Sequence, residues 1–315
     1  MSDISQAIAQ ALTPICFCIL LGWVAGKTGL MPVEYGRALA RFVVLFALPI
    51  ALFLAAAKAK PSDIFNIQML LALLIGFGIT FVVGLFAGHR LFRHPESESA
   101  IQALACSFPN IAYCGPPVLI ASVGSSAVLM VVTGNLIVTL IIVPAALVIL
   151  ARNSTDEAHK IGLVEALLSA VRQPLVFLPI AGACLAALGL KIPPLAASAA
   201  EEIGVAAGGV ALFALGLTLS GIAVQLNGEI TFNVFIKNVV QPVVIFGAAW
   251  AFGLKGPLLA QTFLLGVLPT ATEVSAIAVA RNVYRDGAAD STIVSVLTSA
   301  LTISAGVAVA FLVQS

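Results

Sequence analysis

The chain is a succession of apolar stretches, each close to the ~20 residues that a helix needs to cross a bilayer. They fall at about 5–26, 36–57, 66–91, 98–122, 127–151, 165–189, 196–223, 231–253, 257–282 and 288–313, joined by short connections. In hydrocarbon a backbone must satisfy its own N–H and C=O groups, so stretches of this length are expected to be helical. The expected fold class is an all-α integral membrane protein with ten transmembrane helices. Composition agrees, at 61% hydrophobic and 9% charged residues, far from the balance of soluble domains. The first stretch is too long for the apolar core of a signal peptide, and Asp3 stands where a positive n-region would lie. It is expected to remain as a membrane helix.

One stretch breaks the pattern. Within the fourth segment, Ser107-Phe108-Pro109-Asn110-Ile111-Ala112-Tyr113-Cys114-Gly115-Pro116-Pro117 places a proline where a helix interior is expected. Pro109 removes a backbone donor and disfavours helical geometry at Phe108, and Gly115-Pro116-Pro117 is expected to interrupt the ladder again. Unpaired backbone groups at membrane depth persist only where protein buries them or a wet cavity receives them.

The longest polar connection, Arg152 to Lys160, divides the chain in half and invites a search for a repeat. An offset of 160 places Pro14 on Pro174, Gly22 on Gly182, Gly29 on Gly189 and Leu30 on Leu190. An offset of 167 places Leu45-Phe46-Ala47-Leu48 on Leu212-Phe213-Ala214-Leu215 and Phe65-Asn66 on Phe232-Asn233. The 160 offset then puts Pro109 on Pro269 and Asn110 on Thr270, so the ninth segment carries a matching break. With five helices per half, the halves enter the membrane from opposite sides, giving a 5+5 inverted repeat. The expected domains are a first repeat over 1–151, a short cytoplasmic linker over 152–164 and a second repeat over 165–315.

Lys27, Arg37, Arg41, Arg90, Arg93, Arg152, Lys160, Arg172, Lys237, Arg281 and Arg285 are assigned beside the odd connections, against Lys58, Lys60, Lys191 and Lys255 beside the even ones. The asymmetry puts the odd connections in the cytoplasm and both termini outside.

Inverted repeats with one broken helix each point to a secondary transporter whose site lies at the repeat interface. Half-helices starting after Pro109 and Pro269 would aim N–H groups at the membrane centre, where an anion is the natural guest. Asn110, Tyr113, Thr270 and Thr272 are neutral donors and acceptors beside the breaks. The competing reading is a pair of ordinary proline kinks satisfied by neighbouring hydroxyls. Glu273, four residues past Pro269, is a carboxylate inside a membrane segment, which suits a proton carrier or a Na⁺ ligand. It also suits a neutral acid in a helix contact.

Asn135, Thr139, Asn238 and Gln241 read as interhelical hydrogen bonders, and Gly22-Trp23-Val24-Ala25-Gly26 and Gly204 to Gly209 as close-packing surfaces. Glu201-Glu202 read as acids at the start of the seventh segment, facing its N-terminal dipole. Cys16, Cys18, Cys106, Cys114 and Cys184 show no metal spacing, and His89, His94 and His159 lie beside loop charges. A net charge of +1 argues against nucleic acid. Without a Gly-x-Ser-x-Gly elbow, a P-loop or a His-Glu-x-x-His, the chain is read as neither an enzyme nor an ATP-driven pump. No cofactor is expected beyond a coupling H⁺ or Na⁺.

Arg41-Phe42-Val43-Val44-Leu45-Phe46-Ala47-Leu48-Pro49, Pro109-Asn110 with Gly115-Pro116, and Leu268-Pro269 followed by Ala280 and Tyr284 resemble the auxin efflux carrier family. The resemblance spans nearly the whole chain. It implies a scaffold of helices 1, 2, 6 and 7, a transport domain of helices 3–5 and 8–10 with helices 4 and 9 broken and crossing, elevator-like movement, and a homodimer. It implies a multi-pass carrier of the bacterial inner membrane, acting on malonate, malate or similar carboxylates. Carried over by position, Pro109 and Pro269 form the crossover and Asn110 contacts the carboxylate; Gly115 belongs to the same motif. Glu273-Val274 is similar instead to the related bile-acid sodium symporters, without the rest of their motif. The alternatives are therefore a Na⁺-coupled symporter of larger amphipathic anions or a non-transporting membrane receptor.

Overall fold

The computed structural model describes residues 2–58, 66–123, 128–152, 168, 171–221 and 225–314. The expected linker over 152–164 lies outside these residues except for Arg152, and so do Lys60 and Lys160 of the charge count. Among the described residues the chain is helical throughout, without a strand; its one β-type pairing is an antiparallel bridge between Pro109 and Thr270.

The helices are α1 (Ser2–Lys27), α2 (Glu34–Lys58), α3 (Ile67–Leu91), α4 (Glu96–Ser107), α5 (Ile111–Val123) and α6 (128–152). They continue as α7 (Pro174–Ala187), α8 (Pro194–Ser220), α9 (Gly228–Ala251), α10 (Gly256–Val267), α11 (Thr272–Arg281) and α12 (Arg285–Gln314). Six of them contain a stretch long and apolar enough to cross a membrane, Lys and Arg sitting mainly at the ends. Large apolar side chains cover the outside, with Leu195 85% and Leu301 77% exposed. Such surface is stable against lipid and not against water.

Start signals are local. The Asn66 side chain accepts the N–H of Met69 at 3.0 Å and opens α3, while Asn227 accepts that of Ile230 at 2.8 Å and opens α9. Asn66 therefore matches Asn227 in role, 161 positions on, and not Asn233 as the 167 offset implies. The sixth segment was expected as one run over 165–189, but α7 starts at Pro174, after an extended Gln173 (ψ 134°). Proline favours the first helical position and forces its predecessor out of helical geometry. Likewise α8 starts at Pro194, so Glu201 and Glu202 sit two turns inside it, exposed and beyond the reach of the N-terminal dipole. The second interruption expected at Gly115-Pro116-Pro117 does not occur, since α5 runs through it. Proline's fixed φ is itself helical; what is lost is two N–H donors, leaving the carbonyls of Ala112 and Tyr113 without their helical partners.

α1 packs along α8, and α2 along α7 and α8. Glycines set the distance. A Cβ on Gly22 would lie 2.1 Å from the Phe213 carbonyl oxygen, and one on Gly216 1.9 Å from that of Ile19. Gly22 and Gly26 thus serve close packing as expected, whereas Gly208 and Gly209 face open space. α3, α4, α9, α10 and α12 pack around the two interruptions, and α11 lies on α12.

Candidate functional site

α4 and α10 are 12 residues each and both stop inside the molecule, followed by α5 and α11. Their stops coincide in space. Phe108 (ψ 100°) and Leu268 (ψ 145°) turn extended, as residues before proline must. The two extended pieces then pair. Asn110 N–H donates to the Pro269 carbonyl at 2.7 Å, and Ala271 N–H to the Phe108 carbonyl at 2.9 Å. Pro109, Asn110, Pro269 and Thr270 are thus brought together, and all four are buried. Backbone freed by each break is used to hold the other.

Side chains satisfy what remains. Thr270 Oγ1 donates to the Ala105 carbonyl at 2.9 Å, and Thr270 N–H to Ser295 Oγ at 2.8 Å. Ser295 Oγ donates in turn to Asn238 Oδ1 at 2.7 Å, while Asn238 Nδ2 reaches the Ser295 carbonyl and Thr298 Oγ1. Asn110 Oδ1 accepts Tyr113 N–H at 3.2 Å, capping the first turn of α5. That bond fixes the amide orientation and leaves Asn110 Nδ2 buried with no hydrogen-bond partner. A buried amide donor without an acceptor costs roughly 1–3 kcal/mol, so this one is open to an incoming acceptor.

Other expected site residues flank this point. Tyr113 lies in the first turn of α5, its hydroxyl donating to the Ala40 carbonyl of α2 at 3.5 Å. Gly115, two residues on, faces apolar side chains of Val131 and Leu268. Thr272 and Glu273 form the first turn of α11, with Thr272 Oγ1 donating to Glu273 Oε2 at 3.3 Å. Glu273 is half-buried, within electrostatic reach of Tyr113 and Cys114, so both half-helix N-termini face a common region. A carboxylate in the first turn also complements the dipole of its own helix. No group of three or more metal-ligating His, Cys, Asp or Glu side chains occurs among the described residues.

Lys237, expected beside an odd connection, lies inside a membrane helix instead. It lies nine residues into α9, about 14 Å along the helix at 1.5 Å per residue, and it is 0% exposed. Its Nζ donates to the Gly266 carbonyl at 3.2 Å and to the Leu268 carbonyl, the acceptor end of α10. The approach depends on Gly266, where a Cβ would lie 2.9 Å from Pro242 Cα. Four residues on, Gln241 Nε2 donates to the Ser107 carbonyl at 2.8 Å and to Thr80 Oγ1 at 2.9 Å, closing the acceptor end of α4. Lys237 lies within a π turn, Ile236–Val240, a local widening common at functional positions. The signal in the sequence was a lone lysine and a glutamine at i and i+4 inside an apolar segment.

Asn135 behaves as expected of an interhelical bonder. Asn135 Nδ2 reaches the Leu175 carbonyl at 3.4 Å. At the far end of α4, His94 Nε2 meets Glu229 Oε1 at 2.8 Å, and Tyr284 Oη donates to the same oxygen. Burial, then the Glu229 carboxylate, hold the Tyr284 phenol far above the usual tyrosine range, so it remains a donor. His94 thus has acid partners rather than a purely solvated setting.

Two comparisons bear on this arrangement. The family model described as "Membrane transport protein" matches residues 7–305. The chain is 32% identical over 289 residues to a protein of Escherichia coli (strain K12) named "Uncharacterized transporter YfdV", covering 91% of this chain and 92% of that one. It is 26% identical over 318 residues to the "Putative malonate transporter" of Rhizobium meliloti (strain 1021), covering 94% of each.

Proposed function

Because the chain belongs to the membrane transport protein family, the auxin efflux carrier-like group that its motifs resemble, we propose that it is a secondary transporter of small organic carboxylates, including dicarboxylates such as malonate. It is a membrane transporter and not an enzyme. The observation that carries the substrate class is Asn110 Nδ2, a buried donor without an acceptor between the N-termini of α5 and α11. Two helix N-termini and an amide N–H offer a carboxylate what it needs: donors and positive dipole ends in a dry setting. The relative named for malonate supports the same class.

In this reading α4 with α5, and α10 with α11, are each one interrupted span, and the chain forms ten spans as two inverted halves of 1–151 and 165–315. α1, α2, α7 and α8 form the scaffold; the other helices form the moving domain, carrying the crossing between the two faces of the membrane as an elevator. The protein sits in the cell membrane as a homodimer with its termini outside. Pro109 and Pro269 shape the crossing, Asn110 and Thr272 meet the carboxylate, Tyr113 and Gly115 wall the site on the α5 side, Thr270 fixes the crossing, and Glu273 lies nearest to any coupling H⁺ or Na⁺.

The test is uptake of radiolabelled malonate and malate into vesicles containing the purified protein. Saturable uptake driven by an imposed ion gradient supports the reading. Specific binding with no flux under any gradient would make the protein a receptor instead.

A further inference from the structure

Lys237 does work that the carboxylate reading does not require of it. A lysine ammonium buried at 0% exposure in a membrane helix ordinarily pairs with an acid. Here its hydrogen-bond partners among the described residues are two backbone carbonyls, Gly266 and Leu268. In an uninterrupted helix the Gly266 carbonyl would receive the N–H of residue 270; Thr270 N–H goes to Ser295 Oγ instead. The break therefore creates a cluster of bare carbonyl oxygens at the negative end of a helix dipole, the same set of ligands that binds alkali cations in broken membrane helices.

Among the described residues, Cys106 of α4 and Cys114 of α5 lie within electrostatic reach of Lys237, and each thiol is also within reach of an acid, Glu229 for Cys106 and Glu273 for Cys114. From α3, α10 and α12 come neutral groups: Thr80 through Gln241, the two carbonyls, and Ser295 through Asn238. The acids of α12 near its start lie elsewhere, Asp290 accepting the Gln225 N–H at 3.4 Å. The hydrogen-bond partners of Lys237 among the described residues are thus carbonyls and not carboxylates. It stands one peptide from Pro269, whose carbonyl holds Asn110 N–H, so an anion bound at the crossing would lie close to it.

We propose that the Lys237 ammonium is a built-in cation of this carrier, occupying the carbonyl cluster at the end of α10 that a free alkali ion would otherwise fill and supplying the counter-charge for the bound carboxylate. This rests on the carboxylate reading for the anion, but the cation half is tested without substrate. The consequence is a carrier whose substrate binding needs no Na⁺.

The experiment follows the thermal stability of purified full-length protein in choline chloride, and then with Na⁺, K⁺ or ethylammonium added. Wild type is expected to be indifferent to all three. Lys237→Ala, which empties the space beside the carbonyls, is expected to melt lower in choline and to recover with at least one small cation. Malonate binding is then compared in choline for Lys237→Arg and the neutral Lys237→Met. The Arg variant is expected to bind within a few-fold of wild type and the Met variant about tenfold or more weaker, the scale of one hydrogen-bonded charge. Wild type that needs Na⁺ to bind malonate would overturn the proposal. So would Lys237→Ala that no cation rescues, or Met and Arg variants that bind alike. If Lys237→Ala does not fold, the Arg and Met pair decides. If wild type binds no carboxylate while cation rescue succeeds, the carboxylate reading fails and the cation site stands.

Discussion

Asn110 gives its backbone N–H to the Pro269 carbonyl at 2.7 Å while its side-chain Nδ2 stays buried and unbonded. One residue therefore closes the crossing with its main chain and leaves an unsatisfied donor on its side chain. The two roles separate on mutation. Asn110→Ala keeps the main-chain bond, loses the cap on Tyr113 N–H, worth about 1 kcal/mol, and loses the amide donor. Malonate affinity, measured by calorimetry on purified protein, is expected to fall about 10–100-fold, the scale of a hydrogen bond to a charged group. Binding equal to wild type would remove the site from this position.

Sodium dependence is decided by ion replacement. With Gly266 and Leu268 already engaged by Lys237, exchanging Na⁺ for choline at fixed pH is expected to leave malonate uptake unchanged within a factor of two. A large drop would instead assign Glu273 a Na⁺-binding role.

Gln241 tests the acceptor end of α4. Gln241→Leu removes the donor to Ser107 and Thr80, leaving a buried carbonyl bare at a cost of about 1–3 kcal/mol. A lower melting temperature, with α-helical content by circular dichroism preserved, is the expected result.

Glycine contacts between α1 and α8 predict opposite effects within one helix. Gly216→Ala places a methyl group 1.9 Å from the Ile19 carbonyl oxygen and is expected to destabilise by about 1–3 kcal/mol through overpacking. Gly209→Ala, with nothing within 4 Å of its new atom, is expected to be neutral or to stabilise by up to about 1 kcal/mol, from helix propensity. Parallel thermal melts in detergent distinguish them.

The breaks at Pro109 and Pro269 were legible because a missing N–H and a constrained preceding residue follow from proline's covalent structure in any surroundings. Gly115-Pro116-Pro117 was misread because the same chemistry permits a helix to continue when the freed carbonyls can be tolerated. Their pairing into a bridge needed the repeat, which placed Pro109 opposite Pro269 at one offset. Lys237 stayed hidden for a different reason. Counting charges by connection treats every lysine near a helix end as solvated, and nothing local says that its ammonium meets carbonyls 29 and 31 residues away. Glu201 and Glu202 were misplaced because the start of α8 was set by Pro194 and not by the acids that followed.

Lys237 and Gln241, one turn apart on α9, each grip the acceptor end of a different half-helix, α10 and α4. The two sides of the crossing are therefore held differently. Its carbonyl-bearing halves are fastened to one common post, whereas the donor-bearing first turns of α5 and α11 are held to each other chiefly through the short bridge at Pro109 and Thr270. In the proposed reading a ligand binds those first turns and orders them further. Hydrogen exchange should then slow on binding at Ile111–Tyr113 and Thr272–Val274 first, with α9 already protected before any ligand is present.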